Sequence, residues 1–216
     1  IMFSGYNSGE TSDEYDGHDF KRTQLGWYTE INDQRVEFTY LPQDLEALDM
    51  GQDVIDRVKN SKVLYLTFDP NSKIVQSLEL ARFELAKSLA MNFGIQTLPG
   101  ILNESAQYDL PIVGCKNATA AMPVLMFIEA ERTNAYVSDN CIIIETDDYS
   151  AVAMKDRLMY GLLGIIKQNS NRSQDAEDTD PEENDPEDSV SEDSISDNSA
   201  PEWDAPEGWE TDSQSE

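Results

Sequence analysis

The sequence predicts an α/β (or α+β) fold: a single domain with a mixed β-sheet of about five to six strands covered by helices, followed by a disordered acidic C-terminal tail. Three observations lead there. The run VLYLTF (63–68) is unbroken, apolar and of strand length, as a central strand buried on both faces would be. Directly after it, DPNSKIVQSLELARFELAKSLAMNFG carries Ile74, Leu78, Ala81, Leu85 and Leu89 at helical spacing. Beyond that helix come PVLMFIEA (123–130), AYVS (135–138) and CIIIET (141–146), strand-like runs joined by short polar turns. A strand–helix–strand crossover standing beside hairpins argues for a mixed sheet with helices on it.

Taken in order, residues 1–17 are rich in Gly, Ser and acids and show no apolar periodicity, so they read as a linker. The folded α/β domain is expected over 18–167. It opens with LGWYTEI and QRVEFTYL flanking Asn32-Asp33, where Val36, Phe38 and Tyr40 alternate with polar neighbours as in a hairpin with one buried face. Pro42 suits a first helical turn, and PQDLEALDM and DVIDRVKN read as two short helical pieces broken near Gly51. Gly94 makes a stop for the long helix. Residues 95–122, with Pro99, Gly100, Pro111 and Gly114, read as irregular. SAVAMKDRLMYGLLGII closes the domain as a helix with Met154, Leu158, Gly161, Leu162 and Ile165 on one face. At 100° per residue Arg82 falls on the apolar face of the long helix, which predicts a structural ion pair with an inward carboxylate, Asp69 or Asp156.

Charge divides the chain. Its net charge is −28, and residues 168–216 hold 18 Asp/Glu against one Arg, a net of −17 that leaves −11 for 1–167. Few apolar residues, repeated Pro and high charge cannot offset the entropy of ordering, so 168–216 is expected to lack persistent structure. Such acidity disfavours nucleic acid and anionic membranes and suits a protein partner, cationic where charge selects it. Trp203 and Trp209, in PEWDAPEGWE, are the aromatics available for that partner, against the plain alternative that they are passengers. No stretch reaches the 18 apolar residues of a membrane span. The chain opens Ile-Met-Phe, which reads as the stub of a removed anchor or signal, so membrane association is expected only through such a segment.

The two cysteines, Cys115 and Cys141, are the only ones in the chain. Their separation excludes a C-x-x-C redox couple, and with His18 as the single histidine a zinc site lacks ligands. Two readings survive: reduced core thiols of a cytoplasmic protein, or a bridge. The bridge gains from its setting, since Cys115 ends a Gly/Pro-rich segment and Cys141 opens a strand. Three Asn-x-Ser/Thr triplets, at Asn103, Asn117 and Asn171, are glycosylation candidates and agree with an extracytoplasmic place, at the cell surface or secreted. The run GCKNATAAMPVLMFIEAERTNAYVSDNCIIIE with MKDRLMYGLLGII resembles uncharacterised archaeal membrane-anchored extracytoplasmic α/β domains with one cysteine pair. The resemblance covers about residues 20–166 and implies a location and a fold, but no activity.

Candidate chemistry is thin. Asp69 ends the central strand, where α/β proteins hold ligands, so its carboxylate is a candidate for binding a divalent metal or acting as a nucleophile. A dehalogenase-like pattern would place a second Asp where Asn71 stands, and Asp69, Asn71 or Ser72 could equally cap the next helix. No phosphate-cradling glycine motif occurs and no cofactor is expected. A lone histidine leaves no Ser–His–Asp arrangement unless His18 folds back. The expected role is therefore a non-catalytic extracytoplasmic binding or structural module of a surface assembly, with a small metal-dependent hydrolase using Asp69 as the alternative.

Overall fold

A computed structural model describes residues 11–167. Its fold is α/β: a mixed five-stranded sheet, a separate antiparallel four-stranded sheet and three α-helices among the described residues. The acidic segment 168–216, and with it Asn171, Trp203 and Trp209, lies outside the described residues.

The four-stranded sheet is a meander of β1 (Ser12–Tyr15), β2 (His18–Arg22), β3 (Trp27–Ile31) and β4 (Gln34–Phe38). The expected linker over 1–17 therefore already contains a strand. Its polar composition conceals a two-residue hairpin at Asp16-Gly17, both at positive φ (45° and 78°), the geometry whose twist matches paired strands. Asn32 and Asp33 turn the expected hairpin the same way. Only one face of this sheet is buried, through Phe20, Trp27, Thr29, Val36 and Phe38.

A 3-10 turn, Pro42–Asp44, stands where the first helical piece was expected, and α1 (Gln52–Lys59) follows it. Then come β5 (Val63–Phe68), α2 (Val75–Phe93), β6 (Gln96–Ile101), β7 (Val124–Glu129), β8 (Asn134–Ser138), β9 (Cys141–Thr146) and α3 (Ala151–Leu163). The sheet order is β6-β5-β7-β9-β8, with β8 antiparallel and the rest parallel. Gly94, in the left-handed region at φ 65°, ends α2 as expected.

β6 falls in the segment read as irregular. Its Pro99 and Gly100 suppress a strand signal, yet each has a place here. β6 is an edge strand, where a residue without an N–H is tolerated. At Gly100 a Cβ would sit 2.9 Å from Thr67 Cγ2 and 3.2 Å from the Pro111 carbonyl, so glycine lets the returning chain cross close to the sheet.

All three helices lie on one side of the five-stranded sheet. Leu64, Leu66, Phe68, Leu125, Phe127, Ile142 and Ile144 point into the main core with α2 and α3. α3 is buried along most of its length. Its ring at Tyr160 stacks on Phe38 (centroids 4.1 Å apart) and meets Phe20 edge-on, so α3 is buried by the small sheet as well. Gly161 permits α1 to approach, since a Cβ there would lie 2.4 Å from Ile55 Cδ1. A helix walled on all sides is apolar nearly all round, which is why the one-face reading of α3 falls short.

The opposite side of the sheet carries a smaller cluster: Val113, Val124 and Cys141, with Tyr65, Ala118, Met126 and Ile143 half-buried around them. Among the described residues the segment between β6 and β7 covers it. That segment is bonded to the sheet edge through Val113 N–H to the Ile101 carbonyl (2.8 Å) and Ile101 N–H to the Pro111 carbonyl (3.0 Å).

Candidate functional site

Cys115 and Cys141 form a disulfide, with Cα atoms 5.2 Å apart, inside the distance a bridge can span. Cys115 opens an exposed 3-10 turn (Cys115–Asn117) and Cys141 is the buried first residue of β9. The bridge ties the covering segment to the sheet across the smaller cluster, with Met126 Sδ packed against both sulfurs at 3.3 and 3.8 Å. Asn117, exposed in this turn, accepts from the Gly114 N–H through Oδ1 (3.0 Å).

Asp69 stands at the carboxyl end of β5. The chain leaves β5 through α2 toward β6 on one side and leaves β7 toward β8 and β9 on the other, so the β5–β7 crevice is the topological switch point of the sheet. Asp69 and Glu129 flank it. Both carboxylates are engaged in closing the β5–α2 loop. Asp69 Oδ1 accepts from the Asn71 N–H (3.0 Å) and from Asn103 Nδ2 (3.1 Å). Glu129 Oε2 accepts from Ser72 Oγ (2.7 Å) and from the Lys73 N–H (2.9 Å). The Ser72 hydroxyl and the Lys73 N–H hold the Glu129 carboxyl below its ordinary pKa. Ser72 Oγ also accepts from the Ile74 N–H (3.0 Å), but Ile74 is itself the N-cap of α2 and no side chain caps it, so neither Asp69, Asn71 nor Ser72 takes the capping role expected of them.

The described residues contain no group of three or more His, Cys, Asp or Glu placed to hold a metal ion. A groove of about 440 Å³ lies beside the β6 edge, lined by Ile101, Glu104, Tyr108, Leu110 and Ile112 among others. Asp69 does not line it. His18 lies in β2, opposite Tyr15.

Arg82 departs from expectation. Its side chain is largely buried, but neither Asp69 nor Asp156 meets it. Its nearest carboxylate is Glu79, with Nη2 at 4.0 Å from Oε1, and the guanidinium lies over the Phe68 ring, 5.4 Å from its centroid. Arg82 Nε is buried without a hydrogen-bond partner. Burial lowers the guanidinium pKa, against the opposing pull of Glu79 and Tyr108. Helix geometry put the residue on the expected face, but the carboxylate beside it is the i−3 neighbour Glu79, which also accepts from the Tyr108 hydroxyl.

Asp156 is one of those. Fully buried in α3, it accepts from the backbone N–H groups of Thr39 (2.8 Å) and Tyr40 (3.0 Å) through Oδ2 and from Lys155 through Oδ1. Lys155 also pairs with Glu84 of α2 at 3.1 Å. Burial acts to lower the Lys155 pKa, but the two carboxylates outweigh it and the net shift is upward. Arg157, next along, donates from Nε to the Leu48 carbonyl at 3.3 Å. This buried Lys155-Asp156-Arg157 run joins α3 to α2, to the end of β4 and to the segment before α1. Its signal in the sequence was three consecutive charges inside an otherwise apolar helix.

Comparison with family models, with curated proteins and with solved structures gives no match. Among the described residues no helix is long and apolar enough to cross a membrane.

Proposed function

We propose that this chain is a non-catalytic binding or structural module of a surface assembly, working in an extracytoplasmic compartment. The observation that carries the reading is the state of the switch-point crevice. There Asp69 and Glu129 each use one carboxylate oxygen, with Asn103 and Ser72, to hold the β5–α2 loop, which supports a structural role for these groups. The disulfide supports the compartment, because such bonds persist in oxidising surroundings and are rare in reducing ones. The resemblance to archaeal membrane-anchored domains remains part of this proposal and rests on the sequence alone.

Two measurements test it. Calorimetric titration of the full chain with Mg²⁺ and Mn²⁺ should give no binding that Asp69→Asn removes; such binding would overturn the module reading in favour of the metal-dependent hydrolase. Thiol trapping of the chain in the cells that make it should find Cys115 and Cys141 unreactive, and two alkylated thiols would overturn the compartment.

A further inference from the structure

α2 has two apolar faces. One, made of Leu78, Ala81, Leu85 and Leu89, is buried in the core. The other faces outward: Leu80 is 48 % exposed, Phe83 61 % and Met91 64 %. Gln76, Lys87 and Ala90 are exposed on the same stripe, which is about 100° wide at 100° per residue. The spacing 76-80-83-87-90 alternates four and three, the spacing of a seam that packs on another helix. Both acids of α2 are turned aside and engaged, Glu79 by the Tyr108 hydroxyl (2.8 Å) and Glu84 by Lys155. On a chain of net charge −28, this stripe is free of carboxylates.

We infer that the stripe pairs with its own copy, α2 against α2, antiparallel about a twofold axis. The stripe is complementary to itself in that arrangement. With Leu80 set opposite Ala90 of the second copy, Phe83 falls opposite Lys87, and both contacts repeat across the axis. A large side chain then meets a small one, with Met91 flanking. Each Lys87 ammonium rests on a Phe83 ring and comes beside Glu84, which is still 36 % exposed. From Leu80 to Met91 the seam is about 16 Å long, at 1.5 Å per residue. That is short against the ~1,200 Å² that stable interfaces bury, so the pair is weak and concentration-dependent. The charge of −28 on each chain opposes it, and salt should therefore strengthen it. The inference stands apart from the compartment and from Asp69.

Sedimentation equilibrium of the full chain tests it at about 0.05 M and about 1 M salt, where the screening length falls from more than 10 Å to ~3 Å. The expected result is one chain at low salt and a shift toward two at high salt. Leu80→Glu and Lys87→Glu, the latter at an exposed position, should each weaken the high-salt pair at least about tenfold, or ~1.4 kcal/mol. Tyr149→Glu, at an exposed position off the stripe, should leave it unchanged. A chain that stays single at both salts, stripe variants that pair like the parent, or loss of pairing in Tyr149→Glu would each overturn the inference.

Discussion

Replacing both bridge cysteines, Cys115→Ala with Cys141→Ala, should cost about 4 kcal/mol. Residues 115 and 141 are 26 apart, and closing a loop of that length in the unfolded chain accounts for about 3.5 kcal/mol in the chain-entropy view. The remainder comes from Cys141, whose sulfur packs under Val113 and Val124 and whose truncation removes about one buried methylene equivalent, ~0.8 kcal/mol. The loss should have a location as well as a size. The segment between β6 and β7 has only a few backbone bonds of its own to the sheet, so it should open first. Urea unfolding of parent and variant gives the total. Hydrogen exchange gives the place: the Val113 amide, bonded to the Ile101 carbonyl, should lose protection well before the α3 amides. Cys115 is exposed, so a thiol reductant should reach the bond and reproduce the variant in the parent protein. A loss below about 1 kcal/mol, or protection lost in α3 ahead of the covering segment, would refute the reasoning.

Asp156→Asn should cost about 3 kcal/mol in urea unfolding, since Lys155 stays buried with only Glu84, while Asp156→Leu should cost more because the Thr39 and Tyr40 N–H groups lose their acceptor. A change within about 0.5 kcal/mol for Asp156→Asn would contradict the burial argument. Arg82→Met should change stability by about 1 kcal/mol or less, because the Glu79 contact is long and Arg82 Nε is unpartnered already; a loss of 3 kcal/mol or more would mean a true buried pair. Stability should also fall in alkali. Burial first, then the Glu46 hydrogen bond, push the Tyr15 hydroxyl from 10.0 up to about 12, so its contribution is complete below pH 10 and is lost between 10 and about 12. Lys155, also raised, acts in the same direction, its contribution being lost as pH rises through its folded value. Tyr15→Phe should flatten the slope from pH 10 to 12 in thermal unfolding, and an unchanged slope would rule Tyr15 out as its source.

The sequence by itself determined the elements whose signal is local. VLYLTF, CIIIET and the 3.6-residue recurrence from Ile74 to Leu89 each specify a strand or a helix through the spacing of their own apolar residues, and Gly94 ends α2 by its own backbone freedom. Composition removed the redox and zinc readings of the two cysteines but left idle thiols beside a bridge, and the 5.2 Å between their Cα atoms decided for the bridge. Tertiary structure alone decided the rest. β6 exists because β5 offers its edge, which outweighs the weak strand tendency of Pro99 and Gly100. The hairpins close a second sheet, rather than extending the first, where Phe20 and Phe38 find their cover on Tyr160 of α3. The fate of Asp69, Arg82 and Asp156 lay furthest from the sequence. A carboxylate becomes a ligand site, a loop clasp or a helix anchor according to which donors reach it first, and those donors, Asn103, Thr39 and Tyr40, lie 34 to 117 residues away along the chain.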